Sequence, residues 1–318
     1  MDVRQLEVFL AVAEERSFTR AAERLHLVQS AVSSTIKSLE RELGFALFSR
    51  GPRAVELTAQ AQGFLPSARS AVSALAEAKD VAADVRGQVR GTVNLGVLAI
   101  PDFTEIPRAL RAFRESYPEV VVSARTSPTG TAGLMQGLID GSLDVSIVVL
   151  PFAVPDEVEI EPMFSGEYVF AVGREHQLAG VLADAAVATS QARAAPGSRL
   201  LEGVDLLSMP RGFAIRRALD EQLSAWGATS EVRMELSDMG SLTRCIADGL
   251  GVGLLPRYVV DADPDLQTLE ISDVTVQWSV ALAVRRGRPR SAAMRVLMQA
   301  VHDVVPLVIA RQQGAAAG

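Results

Sequence analysis

Apolar residues at Leu6, Phe9, Leu10 and Ala13 recur at helical spacing and predict an amphipathic helix over roughly Val3 to Glu14. Ser17 stands where it can cap a second helix, whose apolar face is Phe18, Ala21, Ala22 and Leu25. The stretch His26-Leu27-Val28-Gln29 breaks the rhythm, and Ser30 is placed to cap a third helix. On that helix Val32, Ile36, Leu39 and Leu43 form the inward stripe, while Ser30, Ser33, Ser34, Lys37 and Arg41 fall on the opposite face. Leu47 to Thr58, "LFSRGPRAVELT", reads as a short hairpin or wing with Arg50 and Arg53 near its tip.

From Thr58 to about Val85 the only strong breaker is Pro66, which is tolerable near a helix start. Phe64, Ala68, Ala71, Leu75, Ala78, Ala82 and Val85 alternate four and three residues apart, an alanine-rich heptad seam. A stripe of this kind must be buried, either against a second copy of the chain or against the chain's own domain. "RGQVRGT", Arg86 to Thr92, is polar and glycine-containing, so it ends the helix and makes a hinge. Beyond it, strand patterns alternate with helical ones. Strands are expected at Val93–Val97, Val120–Arg125, Val145–Leu150, Tyr168–Val172, Leu206–Met209, Glu231–Glu235 and Val276–Val284. Helices are expected at Ile106–Tyr117, Gly133–Asp140, Ile215–Trp226, Ser241–Asp248 and Ala292–Val305. The alternation points to parallel α/β architecture in two lobes with a cleft between them.

The chain has 318 residues, enough for two or three domains, and its 48% hydrophobic content can form cores. Its single cysteine, Cys245, excludes an intrachain disulfide framework and a four-cysteine metal site, and fits a reducing compartment. The charged N-terminus predicts no signal peptide, and no run of 18 uninterrupted apolar residues predicts a membrane span, so the expected location is the cytoplasm. Net charge is −7, which at first speaks against nucleic acid. Its distribution changes that. From Ser17 to Arg53 six basic residues (Arg20, Arg24, Lys37, Arg41, Arg50, Arg53) face three acidic ones (Glu23, Glu40, Glu42), a local net of +3.

Two short helices with a tight connection, preceded by a packing helix, read as a helix-turn-helix, and the small pair Ala21-Ala22 permits close helix approach. Serines and a glutamine on the second helix suit base edges in a major groove. Paired arginines on a wing suit phosphate or minor-groove contact. A plain three-helix bundle with a solvated polar face is the alternative on this segment alone. Residues 3–58 resemble the winged helix-turn-helix of the LysR-type transcriptional regulators. The likeness is carried by Leu6, Phe9, Ser17-Phe18-Thr19, Ala21-Ala22, Leu25, Gln29-Ser30-Ala31-Val32-Ser33, Ile36, Leu39-Glu40, Leu43-Gly44, Leu47-Phe48, Arg50, Arg53 and Leu57-Thr58. Two positions depart from the family's pattern: Ser34 stands where an arginine is usual, and Ala61 where a glycine is. The C-terminal two-thirds resembles the effector-binding half of the same family, which shares its architecture with periplasmic solute-binding proteins. Leu95-Gly96, Pro107, Phe113, Tyr117-Pro118, "GSLDVSIV" and "GLGVGLLP" carry that likeness.

The resemblance implies a winged domain over 1–58, a linker and dimerisation helix with its hinge over 59–91, and a two-lobed α/β effector domain over 92–318. It implies a ligand-responsive, sequence-specific DNA-binding regulator that assembles as a dimer or tetramer, with promoter DNA, a small-molecule effector and RNA polymerase as partners, and no membrane. Arg20, Gln29, Ser30, Ser33, Ser34, Lys37, Arg50 and Arg53 are the expected DNA contacts. The expected cleft lining is Ala99, Ile100 and Pro101 after the first strand, Thr129, Gly130 and Thr131 at a helix N-terminus suited to an anion, Val149 and Leu150, and Gly212 and Phe213 from the second lobe. Carboxylate-binding relatives often carry a serine or threonine near position 99 and sometimes an arginine near 149. Ala99 and Val149 here imply a more apolar pocket, or a vestigial one.

No catalytic set, metal site or cofactor is expected. The histidines His26, His176 and His302 lie in three distant segments, and "GLGVG" lacks a strand before it. The competing class is a solute-binding or enzymatic α/β protein with an unrelated helical appendage.

Overall fold

The computed structural model describes residues 1–50, 55–84, 89–98, 105–179, 201–228, 230–269, 271 and 276–315. The chain divides into two compact units, Met1–Gln88 with Ile139–Ser142, and Val89–Leu138 with Leu143–Gly318.

In the first unit, helix α1 (Val3–Glu15) starts in a capping box, in which the Asp2 carboxylate accepts from the Gln5 backbone N–H and the Gln5 amide oxygen accepts from that of Asp2. Ser17 caps α2 (Phe18–Arg24) by accepting from the Arg20 N–H at 3.3 Å. The connection to α3 (Gln29–Leu43) is tight because His26 takes a left-handed conformation (φ 54°) and the Leu27 N–H bonds back to the Ala22 carbonyl at 2.8 Å. That compression moves the helix start forward. Val28, not Ser30, is the N-cap, and it makes no side-chain cap bond. Ser30 therefore lies inside the first turn. Gly44, at φ 78°, ends α3 in the left-handed conformation that glycine adopts without steric cost. Leu6, Phe9, Val12, Ala21, Ala22, Val32, Ile36, Leu39 and Leu47 form the buried core.

Strands β1 (Phe48–Arg50) and β2 (Val55–Leu57) pair antiparallel, with Phe48 opposite Leu57. Two polar side chains fix this wing. The Glu40 carboxylate accepts from the Leu47 N–H at 2.8 Å. The Thr58 hydroxyl donates to the Ala46 carbonyl at 2.7 Å and accepts from the Ala61 N–H at 3.1 Å, so it closes the wing and caps the next helix. That helix, α4 (Ala59–Asp84), runs through Pro66, which sits deeper than the first turn. The lost backbone donor is a cost of about 3 kcal/mol, offset where Ala61, Phe64, Leu65, Ala68 and Val72 pack on the unit's core. Phe9 and Phe64 rings lie 5.6 Å apart.

The second unit is built on one mixed sheet. Its strands are β3 (Gly91–Val97), β4 (Val120–Thr126), β5 (Val145–Leu150), β6 (Val158–Gly173), β7 (Leu206–Ser208), β8 (Val232–Glu235), β9 (Val252–Pro256), β10 (Leu266–Thr268) and β11 (Val276–Arg285). The order is β4-β3-β5-β11-β6-β9-β7-β8, with β10 also on β6. Strands β3, β4 and β5 are mutually parallel at one end, and β7, β8 and β9 at the other. Between them β6 and β11 run antiparallel through both halves, with a register shift at Val280/Ala281. Among the described residues its helices are α5 (Glu105–Ser116), α6 (Gly130–Ile139), α7 (Ala214–Ala225), α8 (Met239–Ala247), α9 (Arg257–Ala262) and α10 (Ala292–Ala315).

Several expectations are corrected here. The sheet is mixed, not parallel, because β11 is antiparallel to both β5 and β6. Strand β6 starts ten residues before Tyr168: Glu159, Glu161 and Pro162 hide its first part, which pairs with β11. Helix α6 starts at Gly130 instead of Gly133. "GLGVGLLP" is largely strand β9, every residue of which is buried. Helix α9 and strand β10 were not foreseen.

Candidate functional site

Two places collect the residues singled out above. The first is the outer face of α3. Val32, Ile36 and Leu39 are buried on one side, while Gln29, Ser30, Ser34, Lys37 and Arg41 are exposed on the other and Ser33 is half-buried. The Gln29 amide donates to the Ser33 hydroxyl at 2.9 Å, so two of the groups are ordered against each other before anything binds. Lys37 makes no ion pair among the described residues.

Arg20 is arranged differently. Its guanidinium donates to the Glu15 carbonyl and lies 3.6 Å from the Glu15 carboxylate. Arg24 pairs with Glu14 at 2.6 Å and Glu15 at 3.3 Å, and the hydrogen bond to Glu14 raises its pKa above the ordinary arginine value. The arginines of α2 are thus tied to the end of α1, while Lys37 and Arg41 stand exposed on the outer face of α3. Arg50 ends β1 opposite Val55, and Arg53 lies outside the described residues.

The second place lies at the α6 N-terminus, between the two halves of the sheet. Ala99, Ile100 and Pro101 fall outside the described residues. The structure brings together Thr129, Gly130, Thr131, Val149, Gly212 and Phe213, and their polar groups are already engaged. Thr131 is 1% exposed; its hydroxyl donates to the Val149 carbonyl at 3.1 Å and lies 3.4 Å from the Val149 N–H. The Gly130 N–H bonds to the Ser127 carbonyl, and the Ala132 N–H to the Gly212 carbonyl at 3.1 Å. The donors that would receive an anion at this helix terminus are therefore in part occupied by the chain itself.

Phe213 fills the adjoining space. A Cβ added at Gly130 would sit 2.7 Å from its ring, and one added at Gly212 would sit 2.5 Å from the Thr129 carbonyl oxygen. Both glycines have positive φ, 58° and 102°, so only glycine brings the two backbones this close without strain. Leu150, at the end of β5, is half-buried.

Sequence reasoning missed Ser127, whose hydroxyl lies 3.2 Å from that of Thr129. The turn-rich "TSPTG" was its signal. It also missed Arg217, whose guanidinium lies 5.7 Å over the Phe152 ring and pairs with Glu221 at 2.7 Å. No local pattern announces a contact across 65 residues.

The heptad seam divides. Phe64 and Ala68 pack in the first unit's own core, while Ala71, Leu75, Ala78 and Ala82 are exposed. Val85 lies outside the described residues. Among the described residues no cluster of three His, Cys, Asp or Glu could hold a metal, and no helix is long and apolar enough to cross a membrane.

Residues 3–62 match the bacterial regulatory helix-turn-helix proteins of the lysR family, and residues 86–306 match the LysR substrate binding domain. The chain belongs to the lysR family. It is a DNA-binding, ligand-responsive transcriptional regulator of LysR type. This LysR-type chain is 28% identical over 306 residues to a probable hydrogen peroxide-inducible genes activator from Streptomyces viridosporus, covering 95% of this chain and 93% of that one. Its fold is similar to that of a full-length OxyR variant from Pseudomonas aeruginosa (TM-score 0.68, 23% identity, 96% and 95% coverage). It is also similar to full-length CbnR solved with its target DNA (TM-score 0.59, 24% identity, 96% and 100% coverage). The relatives are regulators.

Proposed function

We propose that α3 of this regulator reads a promoter through Gln29, Ser30, Ser33, Ser34 and Lys37, with Arg20, Arg50 and Arg53 holding the phosphate backbone. The observation that carries this is the division of α3 into a buried apolar stripe and an exposed polar one, with Gln29 and Ser33 ordered against each other. Short polar side chains hydrogen-bond to base edges without filling the groove, and Lys37 adds the attraction to phosphate. The exposed end of the seam, Ala71 to Ala82, is where a second copy pairs, and a dimer or tetramer presents paired readers to half-sites. The working division is a reader over 1–58, a linker over 59–91 and an effector domain over 92–318. The protein binds without catalysing a reaction and works in the cytoplasm.

The effector enters between α6 and the turn before α7. To do so it must part Phe213 from Gly130 and replace the Gly212 carbonyl on the Ala132 N–H. A ligand with apolar area and an acceptor group meets both demands. The name of one relative concerns hydrogen peroxide, but a single cysteine cannot close an intrachain disulfide, so this chain is read as answering to a bound ligand.

Fluorescence anisotropy on the DNA upstream of its own gene, at two salt concentrations and with unrelated competitor, tests the reader. Salt-sensitive binding that resists competitor is expected. Binding that the competitor removes at equal concentration would overturn it.

A further inference from the structure

The reading face contains one residue that neither folding nor helix capping explains. Val28 is the N-cap of α3, extended at φ −83° and ψ 145°, with no side-chain cap bond. Among the described helices, those starting after Asp2, Ser17 and Asp238 are capped by a side-chain oxygen, while those starting after Phe213, which is buried, and Pro256 are not. Valine at this position forgoes that bond, a loss of helix stability. It does not recover the loss by burial. Val28 is 67% exposed, while Val32, one turn on, is fully buried. Its neighbour in sequence is Gln29, which is bonded to Ser33. In a helix-turn-helix the N-terminal residues of the second helix are those that reach base edges.

An apolar side chain at that point has one base-edge partner of matching chemistry, the C5-methyl group of thymine. Valine is suited to it, because its branched side chain is stiff and its two methyls are presented with little loss of rotamer freedom. We propose that Val28 is a specificity-determining residue that reads a thymine methyl in each half-site. The inference rests on the reading of α3 as the DNA-contacting helix.

The test separates the two. Duplexes are first selected from a randomised pool with the full-length protein, and each thymine in the selected site is then replaced by deoxyuridine, which lacks only the methyl. Wild-type protein should lose about four-fold in affinity at one thymine per half-site, corresponding to ~0.8 kcal/mol for one buried methyl-sized group. Val28→Ser removes both methyls and supplies a capping oxygen, so it folds at least as stably as the wild type. It should bind the thymine and deoxyuridine duplexes equally at that position while keeping its losses elsewhere. Wild-type indifference to every replacement, or an unchanged thymine requirement in Val28→Ser, overturns the assignment of Val28 while leaving α3 as the reader. Failure of the selection to enrich any sequence overturns both.

Discussion

The outer face of α3 and the surroundings of the α6 N-terminus are both polar places in a chain otherwise built on apolar packing, and they are finished to different degrees. On α3 Gln29, Ser30, Ser34 and Lys37 stand exposed, and the Gln29 amide is bonded to the half-buried Ser33. At α6 the hydroxyl of Thr131 is spent on the β5 backbone, the Ala132 N–H on Gly212, and the space above Gly130 on the Phe213 ring. One surface is open and needs only a partner of the right shape. The other is closed on its own chain, and under the proposed reading a ligand there would exchange contacts rather than add them. That asymmetry suits a regulator, because a site that must be opened to be filled couples filling to a change of shape.

Gly212→Ala attacks the closure most directly and should have the largest effect. The new Cβ meets the Thr129 carbonyl oxygen at 2.5 Å, and φ 102° is strained for alanine. Backbone oxygen cannot swing aside as a side chain can, so the turn must move off α6. The cost should be on the order of 3 kcal/mol, read as a lower midpoint in denaturant for the effector unit. A variant as stable as the wild type would mean that the turn is not held against α6 in solution, and the contrast with α3 would fail.

Thr131→Val is isosteric and sharpens the same contrast. It leaves the Val149 carbonyl and N–H without the hydroxyl that bridges them, so stability should fall by about 1–3 kcal/mol, with ligand affinity following only through that loss. If stability holds but an effector identified by thermal shift no longer binds, the hydroxyl faces the ligand and the site is more open than its bonds indicate.

The uneven legibility of the chain has the same root. Helix α1 and strand β5 could be read to within a residue, because each shows its period over its own length. The start of α3 was misplaced from Val28 to Ser30, since the left-handed turn at His26 is a conformational fact that cap chemistry does not reveal. The first half of β6 was hidden behind Glu159, Glu161 and Pro162, which only the pairing with β11 makes strand. Thr129, Gly130, Thr131, Gly212 and Phe213 could be named from pattern and family likeness. That Thr131 would bond to Val149 and Phe213 would cover Gly130 depends on segments brought together from 18 and 83 residues away. The polar stripe of α3 was readable because a surface helix writes its two faces into one short run.

The smallest expected effect separates the units by pH. Burial lowers the pKa of His176 below its ordinary value, and its Nδ1 accepts from the Leu178 N–H at 3.2 Å, a bond that protonation removes. The folded chain therefore favours the neutral imidazole, and between the folded pKa and the unfolded value of about 6.5 the unfolded state binds more protons. Stability then rises with pH, so the contribution is present above the unfolded pKa and is lost as pH falls through it toward the folded one. His176 lies in the effector unit, and so should the effect: a modest decline in that unit's unfolding midpoint from pH 7 to pH 5, reduced in His176→Gln. The cap of α8, where the Ser241 N–H holds the Asp238 carboxyl below its usual range, fails only at lower pH. An equal decline in wild type and His176→Gln would place the pH response elsewhere. A decline in DNA binding without loss of effector-unit stability would move it to the outer face of α3.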